Sequence, residues 1–136
     1  MKNLFLFYII LHSSFTLSAQ PTIQWQKPLG GSDFDEAKSI RITKDGGYIV
    51  AGTTFSDDYD IQEFHGVADF WVVKLNASGT VQWTKALGGS DYDRAKDIQQ
   101  TSDGGYILAG FTQSTDGDVS GNHGDKDAWV VKLDSA

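Results

Sequence analysis

The chain has 136 residues, enough for one ordinary domain, with 11 basic and 18 acidic side chains and a formal net charge of -7. Because a phosphate backbone would repel such an acidic chain, we expect no nucleic-acid partner. The absence of cysteine excludes disulfide frameworks, thiolate zinc sites and cysteine nucleophiles. Fifteen glycines and only two prolines favour many tight turns between strands.

The first 19 residues have the pattern of a secretory signal peptide. Lys2 gives the positive start, residues 4–11 form an apolar run, and small residues precede the expected cleavage after Ala19. The run is about half as long as a bilayer-spanning helix, so we expect no membrane insertion. We therefore predict a signal peptide over residues 1–19 and a mature chain that is secreted, periplasmic or at the cell surface.

Residues 20–136 contain one unit written twice, at an offset of 58 residues. Residues 25–78 align with residues 83–136 without a gap, and 31 of the 54 pairs are identical. A long internal period is typical of solenoids and propellers, in which each repeat is one supersecondary unit. The period predicts a single two-repeat domain over residues 20–136.

Apolar and polar residues alternate over residues 23–27 and 39–43, as in half-buried strands. Residues 48–54 and 70–75 are more continuously apolar, which suits inner strands, and no segment of the mature chain has a sustained helical repeat. In the first unit we predict strands over residues 37–43, 48–54, 69–75 and 80–87, joined by tight turns rich in glycine. The second unit repeats the first three of these strands. The fold class is therefore predicted to be all-β.

The order of the strands predicts how the two units combine. Residues 22–29 match the fourth strand of a unit and precede the first strand, whereas the second unit lacks its own fourth strand. The chain thus predicts two propeller-type four-stranded antiparallel blades. The N-terminal strand, residues 22–29, is able to complete the last blade, as in propeller closure.

The most strongly repeated blocks are Leu-Gly-Gly-Ser, Asp-Gly-Gly-Tyr-Ile and Trp-Val-Val-Lys-Leu, at residues 29–32, 45–49 and 71–75 and again 58 positions later. With these blocks the chain resembles bacterial exported β-propeller repeat proteins of the Bacteroidetes type, which are similar to the seven-bladed propeller repeat proteins. The resemblance implies export and a non-catalytic surface role, and it implies no particular ligand. Such relatives usually hold several more repeats, and many end in a C-terminal sorting domain.

A candidate calcium loop lies in the second unit, over residues 116–127. Oxygen-bearing side chains and a glycine fall where a twelve-residue calcium loop places them around the ion. The candidate metal ligands are Asp116, Asp118, Ser120, Asn122 and Asp127. Calcium is the one candidate cofactor, and the alternative is a solvated loop whose Asp and Asn side chains cap their own backbone.

Paired acids follow the Gly-Gly-Ser turn in both units, namely Asp33 with Asp35 and Asp91 with Asp93. Two carboxyl groups at a fixed separation can cleave a glycosidic bond. Because the pair recurs in each unit, we favour a structural role in which these acids bond turn amides. The four tryptophans, Trp25, Trp71, Trp83 and Trp129, are expected to pack between sheets rather than to stack on sugars.

These patterns predict an exported, non-enzymatic binding or scaffold module whose partner is a surface protein or a carbohydrate. The alternatives are a carbohydrate-binding lectin and part of a propeller-based glycosidase or dehydrogenase. Two blades cannot close a ring, because repeat units need neighbours on both faces. Three arrangements stay open: a homo-oligomeric ring, residues 22–29 folding back onto the last blade of their own chain, and a fragment of a longer propeller.

Overall fold

The computed structural model describes residues 20–135, so the predicted signal peptide lies outside the described residues. The described chain forms strands and no helix, which confirms the all-β fold class. Consequently it contains no helix of the length and hydrophobicity needed to cross a lipid bilayer. The strands are β1 (Asp35–Ile42), β2 (Tyr48–Thr54), β3 (Asp69–Leu75), β4 (Val81–Leu87), β5 (Asp93–Gln100), β6 (Tyr106–Thr112) and β7 (Asp127–Leu133).

The strands form two antiparallel sheets in which neighbours along the chain are neighbours in space. Sheet 1 has the order β1-β2-β3-β4, and sheet 2 has the order β5-β6-β7. The predicted count of four strands and then three is confirmed, and β2 and β3 begin and end at the predicted residues. The turn between β1 and β2 is tight because Gly46 has a φ of 78°, which places it in the left-handed region that glycine adopts without strain.

The two sheets share an irregularity at the same repeat position. The register of β1 shifts between Ala37 and Ser39, and that of β5 shifts between Ala95 and Asp97. A glycine lies opposite each bulge, namely Gly52 opposite Ala37 and Gly110 opposite Ala95. The strands approach closely there, since a methyl group on Gly110 would lie 2.9 Å from the Cα of Ala95. A bulge bends and twists its strand, so the repeated sequence gives both sheets the same local shape.

The sheets pack face to face and enclose the main core. Sheet 1 contributes Ile49, Ala51, Phe70, Val72 and Leu87, and sheet 2 contributes Ala95, Ile98, Tyr106 and Leu108. The ring of Phe70 lies 4.6 Å from the ring of Trp129, centroid to centroid. At the rim of this interface the guanidinium of Arg41 lies 2.7 Å from the Asp97 carboxylate. Apolar contact therefore joins the repeats, and charged groups border it.

The prediction of a strand over residues 22–29 is wrong for the isolated chain. These residues form no strand, and the ring of Trp25 packs on the outer face of sheet 1, 5.6 Å from the ring of Tyr48. The equivalent rings in the second unit, Trp83 and Tyr106, are 5.8 Å apart. A strand requires an edge that supplies backbone partners, and the outer face of sheet 1 supplies only side chains.

Candidate functional site

Each sheet begins at a polar corner, where the segment before its first strand meets the loop after its second strand. Corner 1 consists of Gly30, Gly31, Ser32, Asp33, Asp35, Ser56, Asp58 and Asp60. Corner 2 consists of the equivalent residues Gly88, Gly89, Ser90, Asp91, Asp93, Ser114, Asp116 and Asp118. The corners contain most of the acids that the sequence identified as candidates.

In corner 1 the carboxylates bind backbone amides. Asp35 Oδ2 accepts hydrogen bonds from the Gly31 N–H at 2.7 Å and from the Ser56 hydroxyl at 3.0 Å. Asp58 Oδ1 accepts one from the Ser32 N–H at 2.7 Å. Buried backbone N–H groups need such partners. The carboxylate of Asp35 therefore holds the turn closed, as the structural interpretation of these acids predicts.

Corner 2 repeats this arrangement bond for bond. Asp93 Oδ2 accepts from the Gly89 N–H at 2.8 Å and from the Ser114 hydroxyl at 2.8 Å. Asp116 Oδ1 accepts from the Ser90 N–H at 2.7 Å, and hydrogen bonds from Ser90 lower the pKa of the Asp116 carboxyl group. The identical use of the acids in both units indicates a duty that each unit requires.

Corner 2 also receives a His–Asp pair from the other sheet. His65 Nδ1 lies 2.7 Å from Asp69 Oδ2, and His65 Nε2 lies 3.9 Å from a carboxylate oxygen of Asp118. Asp69 is fully buried, and a methyl group on Gly88 would lie 2.7 Å from Asp69 Oδ1 and 2.6 Å from Asp93 Oδ2. The loop before β3 is therefore fitted closely against corner 2.

The buried carboxylate of Asp69 is electrostatically costly. Its Oδ1 atom has no hydrogen-bond partner, and burial raises the pKa of Asp69. The negative charge of Asp93 raises this pKa further, whereas hydrogen bonds from His65 lower it. The sequence contains a signal for this pair, since it recurs as His123 and Asp127, but the spacing alone predicts no role for the histidines in the fold.

The second His–Asp pair has the same internal geometry and no corner beside it in the described chain. His123 Nδ1 lies 2.9 Å from Asp127 Oδ2, and the same oxygen accepts from the His123 N–H at 2.7 Å. These bonds lower the pKa of Asp127, with the backbone bond contributing most. The His123 side chain is exposed. The pair is thus preformed and open to solvent.

Four of the five candidate calcium ligands form hydrogen bonds with protein groups in the structure. Asp118 Oδ2 accepts from the Gly88 N–H at 3.3 Å, and Asn122 Nδ2 donates to the Ser114 carbonyl at 2.9 Å. Asp116 accepts a hydrogen bond from the Ser90 amide of corner 2, and Asp127 accepts one from the His123 amide. Ser120 is exposed. Within residues 20–135 no group of three or more His, Asp or Glu side chains is arranged to hold a metal ion. The calcium loop stays a prediction from sequence.

The tryptophans lie mainly in the core, as expected. Trp71 is buried in a second apolar cluster on the outer side of sheet 1, and Trp83 and Trp129 pack against the main core. Trp25 is more exposed and covers part of the outer face of sheet 1. Trp83 and Trp129 therefore pack between the sheets as predicted, whereas Trp71 is buried on the other side of sheet 1 and Trp25 lies at the border of an open face.

An open cleft of about 520 Å³ lies at corner 1. Its walls include Asp33, Asp35 and Asp60, and Tyr59 stands at its edge with 84% of its surface exposed. Tyr59 has a φ of 52° where its counterpart Gly117 has 63°, so a bulky residue occupies a conformation that favours glycine. Sequence analysis missed this residue, although it breaks the repeat.

No family model matches the chain, and no curated protein is significantly similar to it. The structure itself defines the class of the protein: it is an all-β protein of two equivalent units, whose sheets pack face to face. In this protein, one corner is covered by the chain itself and the other is open.

Proposed function

We propose that the protein is an exported, non-enzymatic module that binds or scaffolds at or outside the cell surface. Its two sheets are, in this proposal, blades of β-propeller type, as in the bacterial exported repeat proteins that the sequence resembles. The signal-like N-terminus supports export. The serial packing of equivalent sheets supports a propeller-type architecture, because propellers arrange repeated four-stranded sheets around an axis.

The observation that carries the non-enzymatic role is the duplicated use of the corner acids. An active site needs a constellation of groups in distinct chemical roles around one reacting position. Here Asp35 and Asp93 make the same bonds to the same kinds of group in both units. Acids engaged in this way support the turn, and their duplication supports a structural rather than a catalytic role.

Export and the lack of turnover are tested together. The full sequence, carrying a C-terminal epitope, is expressed in a Gram-negative host, and the cytoplasm, periplasm and medium are separated. We expect a processed chain that begins at Gln20 outside the cytoplasm and hydrolyses no chromogenic glycoside. An uncleaved cytoplasmic chain would contradict export. Glycoside hydrolysis that disappears in Asp35→Asn or Asp93→Asn would contradict the non-enzymatic role.

A lectin is the second candidate, and the cleft at corner 1 favours it. An exposed aromatic ring beside carboxylates is suited to a sugar, since the ring stacks on the apolar face and the acids accept from hydroxyl groups. Tyr59 supplies the ring, and Asp33 is the exposed acid among those in the wall of the cleft. Backbone strain of this kind is often found at binding sites.

The variant Tyr59→Gly tests the lectin and carries its own control for folding. Glycine is the residue of the second unit and suits the positive φ, so we expect the melting temperature to be unchanged or raised. On a glycan array, a sugar signal of the wild type that disappears in Tyr59→Gly supports the lectin. An array without signal, or a signal that the variant retains, contradicts binding at this cleft.

A further inference from the structure

The sheets leave two unequal open faces, and the first is on sheet 2. Trp71–Leu75 of β3 and Trp129–Leu133 of β7 have the same sequence, yet β3 is buried throughout and β7 is exposed at alternate residues. Val72 is 0% exposed and its counterpart Val130 is 62% exposed. The difference arises because β3 has β4 at its edge and sheet 2 on its face, whereas the described chain gives β7 neither.

The second open face is the part of the outer side of sheet 1 around Ile40, beside the buried cluster that contains Trp71 and Val73. Ile40 is 53% exposed there, whereas its counterpart Ile98 is 1% exposed because it packs between the sheets. Sheet 2 thus uses this position to bind sheet 1, and sheet 1 presents the same isoleucine to solvent. The open face of sheet 2, which contains Val130, is equivalent to the face of sheet 1 that contains Val72 and packs against sheet 2.

The N-terminal segment is already placed for a strand partner that residues 20–135 do not supply. Trp25 packs on Tyr48 of sheet 1 in the way that Trp83 of β4 packs on Tyr106 of sheet 2. Residues 22–29 therefore lie where the fourth strand of a sheet packed on the outer side of sheet 1 would lie. In the register of β3 with β4, Lys85 lies opposite Val72. The same register would place Lys27 opposite the residue equivalent to Val72, which is Val130. Pro28 is compatible with this position, because proline is tolerated in an edge strand.

The corners add a polar contact of the same kind. Inside the chain, the loop that carries His65 and Asp69 lies against corner 2. The equivalent loop, with His123 and Asp127, has no corner against it, and a methyl group added at Gly124 would meet no atom within 4 Å. At the opposite end of the molecule, corner 1 has an open cleft in place of such a loop.

We propose that copies of this chain assemble head to tail. The open face and edge of sheet 2 in one copy bind the outer face of sheet 1 in the next, whose residues 22–29 pair with β7 as the missing fourth strand. His123 and Asp127 then occupy the cleft at corner 1 of the next copy. The occupant is a second copy because the interface between sheets 1 and 2 already joins surfaces of these two types.

The interface between copies should be weaker than the interface between sheets 1 and 2. Ala128 replaces Phe70, whose ring is fully buried between the sheets, and Lys126 replaces the buried Ala68. Less apolar area is therefore covered, and burial of apolar area is the main favourable term in association. We expect an assembly that depends on concentration. Because the two surfaces differ, it forms closed rings or open chains rather than a symmetric dimer.

This inference deepens the proposed scaffold role and rests on its repeat architecture, but not on export or on a ligand. Two charged substitutions test it. Val130→Asp alters only the open face of sheet 2, and Ile40→Asp alters only the open face of sheet 1. Both side chains are exposed in the single chain, so each variant should fold. Ala77→Asp, an exposed change in the turn between β3 and β4, is the matched control.

The measured quantity is the solution mass by light scattering on a gel-filtration peak, with circular dichroism to verify folding. We expect wild type and Ala77→Asp to exceed the mass of one chain as concentration rises, and each face variant alone to stay monomeric. An equal mixture of Val130→Asp and Ile40→Asp should form a dimer, because each supplies the face that the other has lost.

Three results would overturn the proposal. A wild type that is monomeric at every concentration shows that no second copy binds and leaves the open faces to other repeats or partners. Face variants that assemble like the wild type place the interface elsewhere. Monomeric variants that fail to dimerise when mixed exclude the head-to-tail arrangement. Failure of export or of surface binding would leave each of these masses unchanged, so the two proposals fail separately.

Discussion

Replacing Val72 by alanine should destabilise the protein far more than the same replacement at Val130. Both changes remove two methyl groups from equivalent positions of an identical strand sequence. At Val72, which is 0% exposed, the lost transfer energy is about 1.6 kcal/mol at about 0.8 kcal/mol per buried carbon. The cavity left behind raises the loss to about 2–3 kcal/mol.

At Val130 the same change removes groups that are mostly in water, so we expect a loss of about 0.5 kcal/mol or less for the single chain. The assay is urea denaturation followed by tryptophan fluorescence, with the slope compared between variants. At high protein concentration the loss at Val130 should grow, because assembly covers this side chain. Equal losses at the two positions in dilute solution would refute the packing described for β3 and β7.

Three further predictions concern buried charge, turn charge and close packing. Burial raises the pKa of Asp69 above 3.8, so the charged form of this carboxyl group opposes folding. The melting temperature of Asp69→Asn should therefore rise relative to that of the wild type as the pH rises above about 4. Parallel pH profiles would contradict this. Hydrogen bonds from a threonine and a lysine lower the pKa of Asp45, so its charged form stabilises the fold. Asp45→Asn should therefore lose less stability than the wild type as the pH falls below about 4. An equal loss of melting temperature at acid pH in both proteins would contradict this. Gly110→Ala should cost about 1–3 kcal/mol in urea denaturation, since its methyl group would lie 2.7 Å from an aromatic carbon of Phe70; a variant as stable as the wild type would contradict the packing.

The strands of the sheets could be predicted because their signal is local and repeated. Nearly continuous apolar runs, bounded by glycine-rich turns, predict β2 and β3 to the residue. The offset of 58 then transfers the same elements to the second unit. The strand predicted over residues 22–29 is absent from the isolated chain, because a strand also needs an edge to pair with, and the edge that the repeat offers is β7 of sheet 2.

The site was harder to predict because it depends on which groups meet across the two units. The spacing of Asp116, Asp118 and Asp127 resembles a calcium loop, but Asp116 and Asp118 accept hydrogen bonds from amides of the turn before β5, and Asp127 accepts one from His123 in its own loop. Spacing along the loop carries no information about the amides of the distant turn. The role of His65 depends likewise on corner 2. Tyr59 departs from the repeat in the sequence, but its positive φ and its place at the cleft are seen only in the structure.

The most direct test of the head-to-tail arrangement is a pair of cysteines introduced into a protein that has none. In the double variant Lys27→Cys and Val130→Cys, the proposed pairing places the two residues opposite each other. Directly opposed residues of an antiparallel pair are about 4.5–5.5 Å apart between Cα atoms, within reach of a disulfide. Each single variant is the control, since it can link only two chains.

After mild oxidation, a denaturing gel without reductant distinguishes the arrangements. We expect a ladder of disulfide-linked chains from the double variant, and at most linked pairs from either single variant. A disulfide within one chain would instead mean that residues 22–29 fold back onto their own β7. That product, or the absence of any linkage at concentrations where the mass exceeds that of one chain, would contradict the head-to-tail account.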